Sequence, residues 1–247
     1  MKLTFLGTNG WFDNTSTGNT PCAIIDAPEA YVVLDAGFGF AKLDKYIKSD
    51  KPIYVFITHL HLDHTCGFHT LPKFDFKQGL TILFPKKMEK FLQNLLNHPY
   101  MMPLKELPYS VKLIGLKEGE HQKPIKFISR ALKHVDSTMG YRLFLDKKII
   151  SYCSDTAICE NDFLLAQDCD LLIHECSFKH KVDNAWGHTG PEEAAELAQK
   201  ANVKKLVLTH FGANGYNTLG LRKQAEQVAK GIFPNSTAAL DGLEMDI

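Results

Sequence analysis

Directly after the continuous apolar run Ile53–Ile57, the chain reads Thr58-His59-Leu60-His61-Leu62-Asp63-His64. A short unbroken apolar run marks a strand buried on both faces. Three imidazoles and a carboxylate at its end constrain the fold more than any other feature, because imidazole nitrogen and carboxylate oxygen are ligands for zinc and similar divalent ions. In an extended segment His59 and His61 project to the same side, so both can hold one ion. A turn then carries Asp63 and His64 to a second position.

Three further candidates stand where strands are expected to end. His134 follows Ile125–Leu132, Asp155 follows Lys148–Tyr152, and His210 follows Leu206–Thr209. Strand ends are where side chains from distant segments converge on one edge of a sheet. The residues divide into two sites, with His59, His61 and His134 for one ion and Asp63, His64 and His210 for the other. Asp155 is the expected bridging carboxylate, shared by two cations that leave room for a bridging hydroxide. Nitrogen and carboxylate donors suit zinc best here, and manganese or iron also fit.

Strands and helices alternate around these segments. Leu3–Leu6, Cys22–Asp26 and Tyr31–Asp35 read as an antiparallel meander, and a helix is expected near Ala41–Lys48. Leu80–Phe84, Val111–Leu116, Gly140–Leu145 and Leu171–His174 read as further strands, and Thr237–Leu240 and Leu243–Met245 as the last two. Lys86–Leu96, Pro191–Ala201 and Leu219–Lys230 read as helices. Many strands with helices outside predict an α/β fold, a four-layer αββα sandwich. No repeat, linker or low-complexity segment divides residues 1–247, so one domain is expected. Asn97–Pro108 carries three prolines and reads as a loop. Its Tyr100, Met101 and Met102 suit either a pocket wall or packing on the core.

Lys plus Arg and Asp plus Glu both number 28, so the formal charge is zero. That argues against a strongly basic nucleic-acid platform. No apolar run approaches the ~18 residues of a membrane span. The six cysteines show no CxxC spacing. Together with the absence of an export signal, this predicts free thiols in a cytoplasmic protein. Cys66 and Cys153, near candidate ligands, read as packing residues.

The ordered set His59-x-His61-x-Asp63-His64, His134, Asp155 and His210 resembles the metallo-β-lactamase superfamily with its full two-metal ligand set. The resemblance runs from the Gly7-Thr8 turn to Ala239-Leu240-Asp241-Gly242. His134–Arg142, Ile173–Phe178 and Gly187-His188-Thr189 are similar to stretches of ribonuclease Z and related phosphodiesterases. In that branch a Glu and a second His pair beside the metals, and the matching residues here are Glu175 and His188. The resemblance implies that Asp63 binds a metal and orients the hydroxide, while His188, held by Glu175, stabilises or protonates the leaving oxygen. His174 reads as a packed or supporting residue.

One departure matters. Bacterial-type ribonuclease Z carries a tRNA-gripping arm between the segments matching His134 and Asp155. Here Asp155 lies only 21 positions after His134, room for two strands and a turn. The resemblance therefore implies a metal-dependent phosphodiesterase for a cyclic nucleotide, cyclic phosphate or short oligonucleotide, with no large nucleic acid and no membrane as partner. A lactone or thioester hydrolase of the same fold is the alternative, and tRNA 3′ processing ranks below it. The sequence leaves a homo-oligomer open.

Overall fold

The computed structural model describes residues 1–180 and 185–247. The first half of the chain supplies β1 (Lys2–Gly7), β2 (Asn9–Gly10), β3 (Cys22–Asp26), β4 (Tyr31–Leu34), β5 (Ile53–Phe56), β6 (Leu80–Pro85) and β7 (Val111–Leu116), with helices α1 (Leu62–Thr65) and α2 (Glu89–Leu95). The second half supplies β8 (Gly119–His121), β9 (Phe127–Ala131), β10 (Met139–Leu145), β11 (Lys148–Cys153), β12 (Leu171–Glu175), β13 (Leu206–Thr209), β14 (Phe211–Gly212), β15 (Ser236–Ala238) and β16 (Glu244–Asp246). Its helices are α3 (Glu160–Ala166), α4 (Pro191–Lys200) and α5 (Leu219–Ile232). One sheet has the strand order β16-β1-β3-β4-β5-β6-β7, the other β15-β13-β12-β11-β10-β9-β8.

Strand periodicity of two sends successive apolar residues into different layers. Phe5, Ile25, Val32 and Phe56 of the first sheet meet Phe127, Tyr141, Ile150 and Ile173 of the second in the central layer. Their neighbours Leu6, Ile24, Val33 and Val55 face the other way, onto Phe40, Phe68 and Leu92. On the far side Leu172, Leu206 and Leu208 pack against Leu165, Ala194, Ala198 and Ala225 of the outer helices. The result is the αββα sandwich expected from the sequence.

Several local expectations differ. The helix expected near Ala41–Lys48 is a 3-10 helix over Phe38–Lys45, whose N-cap Gly37 has no side chain to accept the free amides. The last strands fall at Ser236–Ala238 and Glu244–Asp246. Asp35 lies outside β4, at φ 57°. In the proline-rich loop Met101 and Leu104 pack on the first core layer, whereas Tyr100 is 69% exposed. The interval from His134 to Asp155 is filled by the β10–β11 hairpin. Its turn residues Asp146 and Lys147 have φ 44° and 64°, as a two-residue hairpin turn requires. All six cysteines are free. No helix among the described residues is long and apolar enough to cross a membrane.

Candidate metal centre

The site forms where strands of both sheets end at one edge. His59 follows β5 and precedes α1, which carries Asp63 and His64. His134 follows β9, Asp155 follows β11, Glu175 closes β12, and His210 separates β13 from β14. Asp155 at φ 46° and His210 at φ 50° are both left-handed, a conformation costly for non-glycine residues and concentrated at functional sites.

The fold brings together every ligand candidate named from the sequence. Donor atoms of His59, His61, His134 and Asp155 lie within 4.8 Å of one another, as do those of Asp63, His64 and His210. Asp155 reaches both groups. Its Oδ1 is 3.1 Å from His64 Nε2 and 3.1 Å from His210 Nε2. Its Oδ2 is 3.7 Å from His59 Nε2. A third group of the same compactness joins Asp155, His210 and His188, so His188 stands within reach of the ligands.

These atoms fit divalent cations. His59 Nε2 and His134 Nε2 are buried with no hydrogen-bond partner among the described residues, and buried polar atoms seldom go unpaired. A cation held between them would satisfy both. Their other nitrogens are engaged: His59 Nδ1 lies 3.1 Å from Thr58 Oγ1, and His134 Nδ1 donates to the Gly187 carbonyl at 3.2 Å. His64 Nδ1 donates to Asp35 Oδ2 at 2.9 Å, and His210 Nδ1 meets Ser177 Oγ at 2.9 Å. Such partners fix ring orientation and tautomer, leaving the opposite nitrogen for the metal. At the exposed edge, His61 Nε2 lies 2.8 Å from Asp136 Oδ2.

Electrostatics follow from packing many charges in a buried space. Burial alone would raise the Asp155 carboxyl, but His210, His64 and His59 hold it well below the usual range. Burial likewise opposes ionisation of Asp63, and His64 and His210 reverse the effect, so it stays anionic. Burial disfavours a charged His64, yet Asp155, Asp63 and Asp35 raise it well above an ordinary histidine. Burial and the neighbouring His64 keep His59 neutral, ready to donate a lone pair.

Beside the ligands, His188 Nδ1 lies 2.7 Å from Glu175 Oε1. Burial would lower His188, but Glu175 outweighs it and holds it at about 9. The pair expected from the resemblance is thus assembled.

Asp35 was not singled out from the sequence. It accepts from Thr58 N and Thr58 Oγ1, from His64 Nδ1 and from Tyr152 OH. Its signal was a polar residue ending the buried run Tyr31–Leu34, the same cue that marked His134. Ser177 and Asp136 carry no comparable cue, because each gains meaning only from a histidine distant in sequence.

A family described as β-lactamase superfamily domain matches residues 30–211. Ribonuclease Z of Bacillus licheniformis is 28% identical, covering 100% of this chain and 99% of that protein. That alignment spans 308 positions against the 247 residues here, so the relative carries segments this chain lacks. Among solved structures, the metallo-β-lactamase fold protein YhfI from Bacillus subtilis matches with a TM-score of 0.80 at 20% identity, covering 99% of this chain and 98% of that one. Human tRNase Z, short form, matches with a TM-score of 0.75 at 23% identity, covering 100% and 99%.

Proposed function

The chain belongs to the metallo-β-lactamase superfamily, and on that premise we propose that it is a two-cation phosphodiesterase acting on small or short nucleotide-type phosphodiesters. It is a hydrolase of this superfamily, and the fold implies divalent metal ions. The step from hydrolase to phosphodiesterase is carried by one observation: a buried Glu175 pairs with His188 at 2.7 Å, within ligand distance of Asp155 and His210.

His59, His61, His134 and Asp155 would hold one cation, and Asp63, His64, His210 and Asp155 the other, with zinc the best match to these donors. Divalent cations held there would supply Lewis acidity, neutralising phosphoryl oxygens and making water nucleophilic at neutral pH. The chain's own residues do the rest. Asp63, half-buried and anionic, is held by the Trp11 amide at 2.7 Å. It can accept a hydrogen bond from an attacking water and so orient it. His188 is raised above an ordinary histidine by Glu175, which favours its protonated form. It faces a departing oxygen as a hydrogen-bond donor and then as a proton source. An anionic diester is attracted to that cation, whereas a neutral lactone gains little from it. The zero formal charge and the short β10–β11 hairpin in place of an arm support short substrates over folded RNA.

Purified protein should be assayed on bis(p-nitrophenyl) phosphate, a dinucleotide, a lactone and a thioester, with and without chelator. We expect chelator-sensitive diester hydrolysis restored by zinc or manganese. Turnover of the lactone or thioester alone would overturn the reading.

A further inference from the structure

The chain has two tryptophans, and neither is in the core. Trp11 is 69% and Trp186 62% exposed. An indole is large and apolar, and a fold ordinarily buries most of it. Both residues are nonetheless fastened to ligand-bearing segments by backbone hydrogen bonds. Trp11 N–H donates to Asp63 Oδ2 at 2.7 Å. The Trp186 carbonyl accepts from the Val135 amide at 3.0 Å, one residue beyond His134. One tryptophan is therefore attached to each ligand group.

A glycine beside each makes the approach feasible. A Cβ on Gly10 would lie 2.5 Å from His210 Cε1, and one on Gly187 would lie 2.8 Å from His134 Cα. Gly10-Trp11 thus rests on one ligand histidine and Trp186-Gly187 on another. Trp11 also adopts φ 78°, an outlier for a bulky side chain. Such strain persists where surrounding bonds hold it, and it clusters at ligand clamps. Phe12, 40% exposed, meets the Trp11 ring edge to face at 5.4 Å.

We infer that Trp11 and Trp186 are stacking platforms for the two nucleobases flanking the scissile phosphodiester, which makes the substrate a dinucleotide or short oligonucleotide. The inference rests on the phosphodiesterase reading above. An indole face stacks on any base with little sequence preference. A cyclic nucleotide offers one base, whereas platforms on two different ligand groups fit a base on either side of the phosphate. Zero formal charge agrees with affinity drawn from stacking, since tracking many phosphates requires a basic groove.

The protein's own fluorescence tests this. Trp186→Phe leaves Trp11 as the one indole, and Trp11→Phe leaves Trp186. Metal-loaded samples are titrated with a non-hydrolysable phosphonate-linked dinucleotide, and both should be quenched. In kinetics, Trp11→Ala and Trp186→Ala should each raise KM for a dinucleotide roughly 5- to 150-fold relative to KM for methyl p-nitrophenyl phosphate. Phe at either position should recover most of that loss, because it keeps an aromatic face. Phe91→Ala, removing an equally exposed ring on α2, should leave both KM values unchanged. If the dinucleotide is hydrolysed but quenching is absent, or the KM ratio stays flat, the inference fails and the phosphodiesterase reading stands. Phe variants as impaired as Ala variants would make the tryptophans merely structural and also overturn it. Turnover of neither diester would remove the underlying reading and this inference with it.

Discussion

His188 Nδ1 sits 2.7 Å from Glu175 Oε1, and the same carboxylate is fixed by two backbone amides. Thr156 N donates to Oε1 at 2.8 Å and Ser177 N to Oε2 at 2.9 Å. Glu175 cannot turn away without leaving buried donors unpaired, so it aims the imidazole as well as charging it.

If His188 supplies the proton, its loss should be felt most where the leaving oxygen is basic. General acid catalysis contributes roughly 10²–10⁴-fold. His188→Ala should cost a dinucleotide about that factor in kcat and a nitrophenyl ester far less, since nitrophenolate leaves without help. Glu175→Gln should show the same ranking in weaker form. Equal losses on both substrates would make His188 a binding residue. Loss of a metal equivalent in His188→Ala would place it among the ligands, as its position beside Asp155 and His210 allows.

Asp155 straddles the two ligand groups through different oxygens. Asp155→Ala should therefore deplete both metals together in elemental analysis, with circular dichroism confirming that the protein is folded. Retention of one equivalent would show that the carboxylate serves one cation only.

How much of this could be read before folding depends on where the information lies. His59, His61 and His64 were legible as a cluster just after a buried apolar run, and His134 and His210 because each follows an expected strand, so strand and ligand are neighbours in sequence. The layers were legible because residues such as Ile24-Ile25 and Val32-Val33 are buried on both faces. What was not legible is set by tertiary contact. Ser177 orients His210 from 33 residues away, and Trp11 binds Asp63 from 52 residues away. The left-handed backbone at Asp155 and His210 also had no marker, since neither is glycine. Short elements such as α3 and β8 carry too few periodic residues to be seen.

Gly10 offers a test of steric support at the centre. A Cβ there would fall 2.5 Å from His210 Cε1 and 2.7 Å from Nδ1, too close for any contact. Either the ring moves or β2 does, and overpacking of this kind costs about 1–3 kcal/mol. Gly10→Ala should lower thermal stability and weaken the cation held by Asp63, His64 and His210 before the other. Metal titration of the variant should show one weakened site. Two unchanged sites would mean the backbone absorbs the methyl without disturbing His210.

His174 lies one residue before Glu175 and makes a different prediction, about folding. Both ring nitrogens face acceptors: Nε2 is 3.1 Å from Asp162 Oδ2, and Nδ1 is 2.8 Å from the Glu175 carbonyl oxygen. Only the doubly protonated ring can donate to both. Burial opposes that charge, but Asp162 and the Glu175 carbonyl outweigh it and hold the group at about 9, against 6.5 for a free histidine. A folded-state value above the unfolded one means stability that is fully present below pH 6.5 and lost as pH rises through about 9. At about 1.36 kcal/mol per pKa unit, the loss is on the order of a few kcal/mol. The stability of the native protein minus that of His174→Leu, from denaturant titrations, should therefore shrink steadily from pH 6.5 to 9.5 as the ring deprotonates. Asp162→Asn should flatten the native protein's slope over the same range. A stability difference that stays constant across the range would mean that His174 is neutral in the fold, with one of its two contacts not a hydrogen bond.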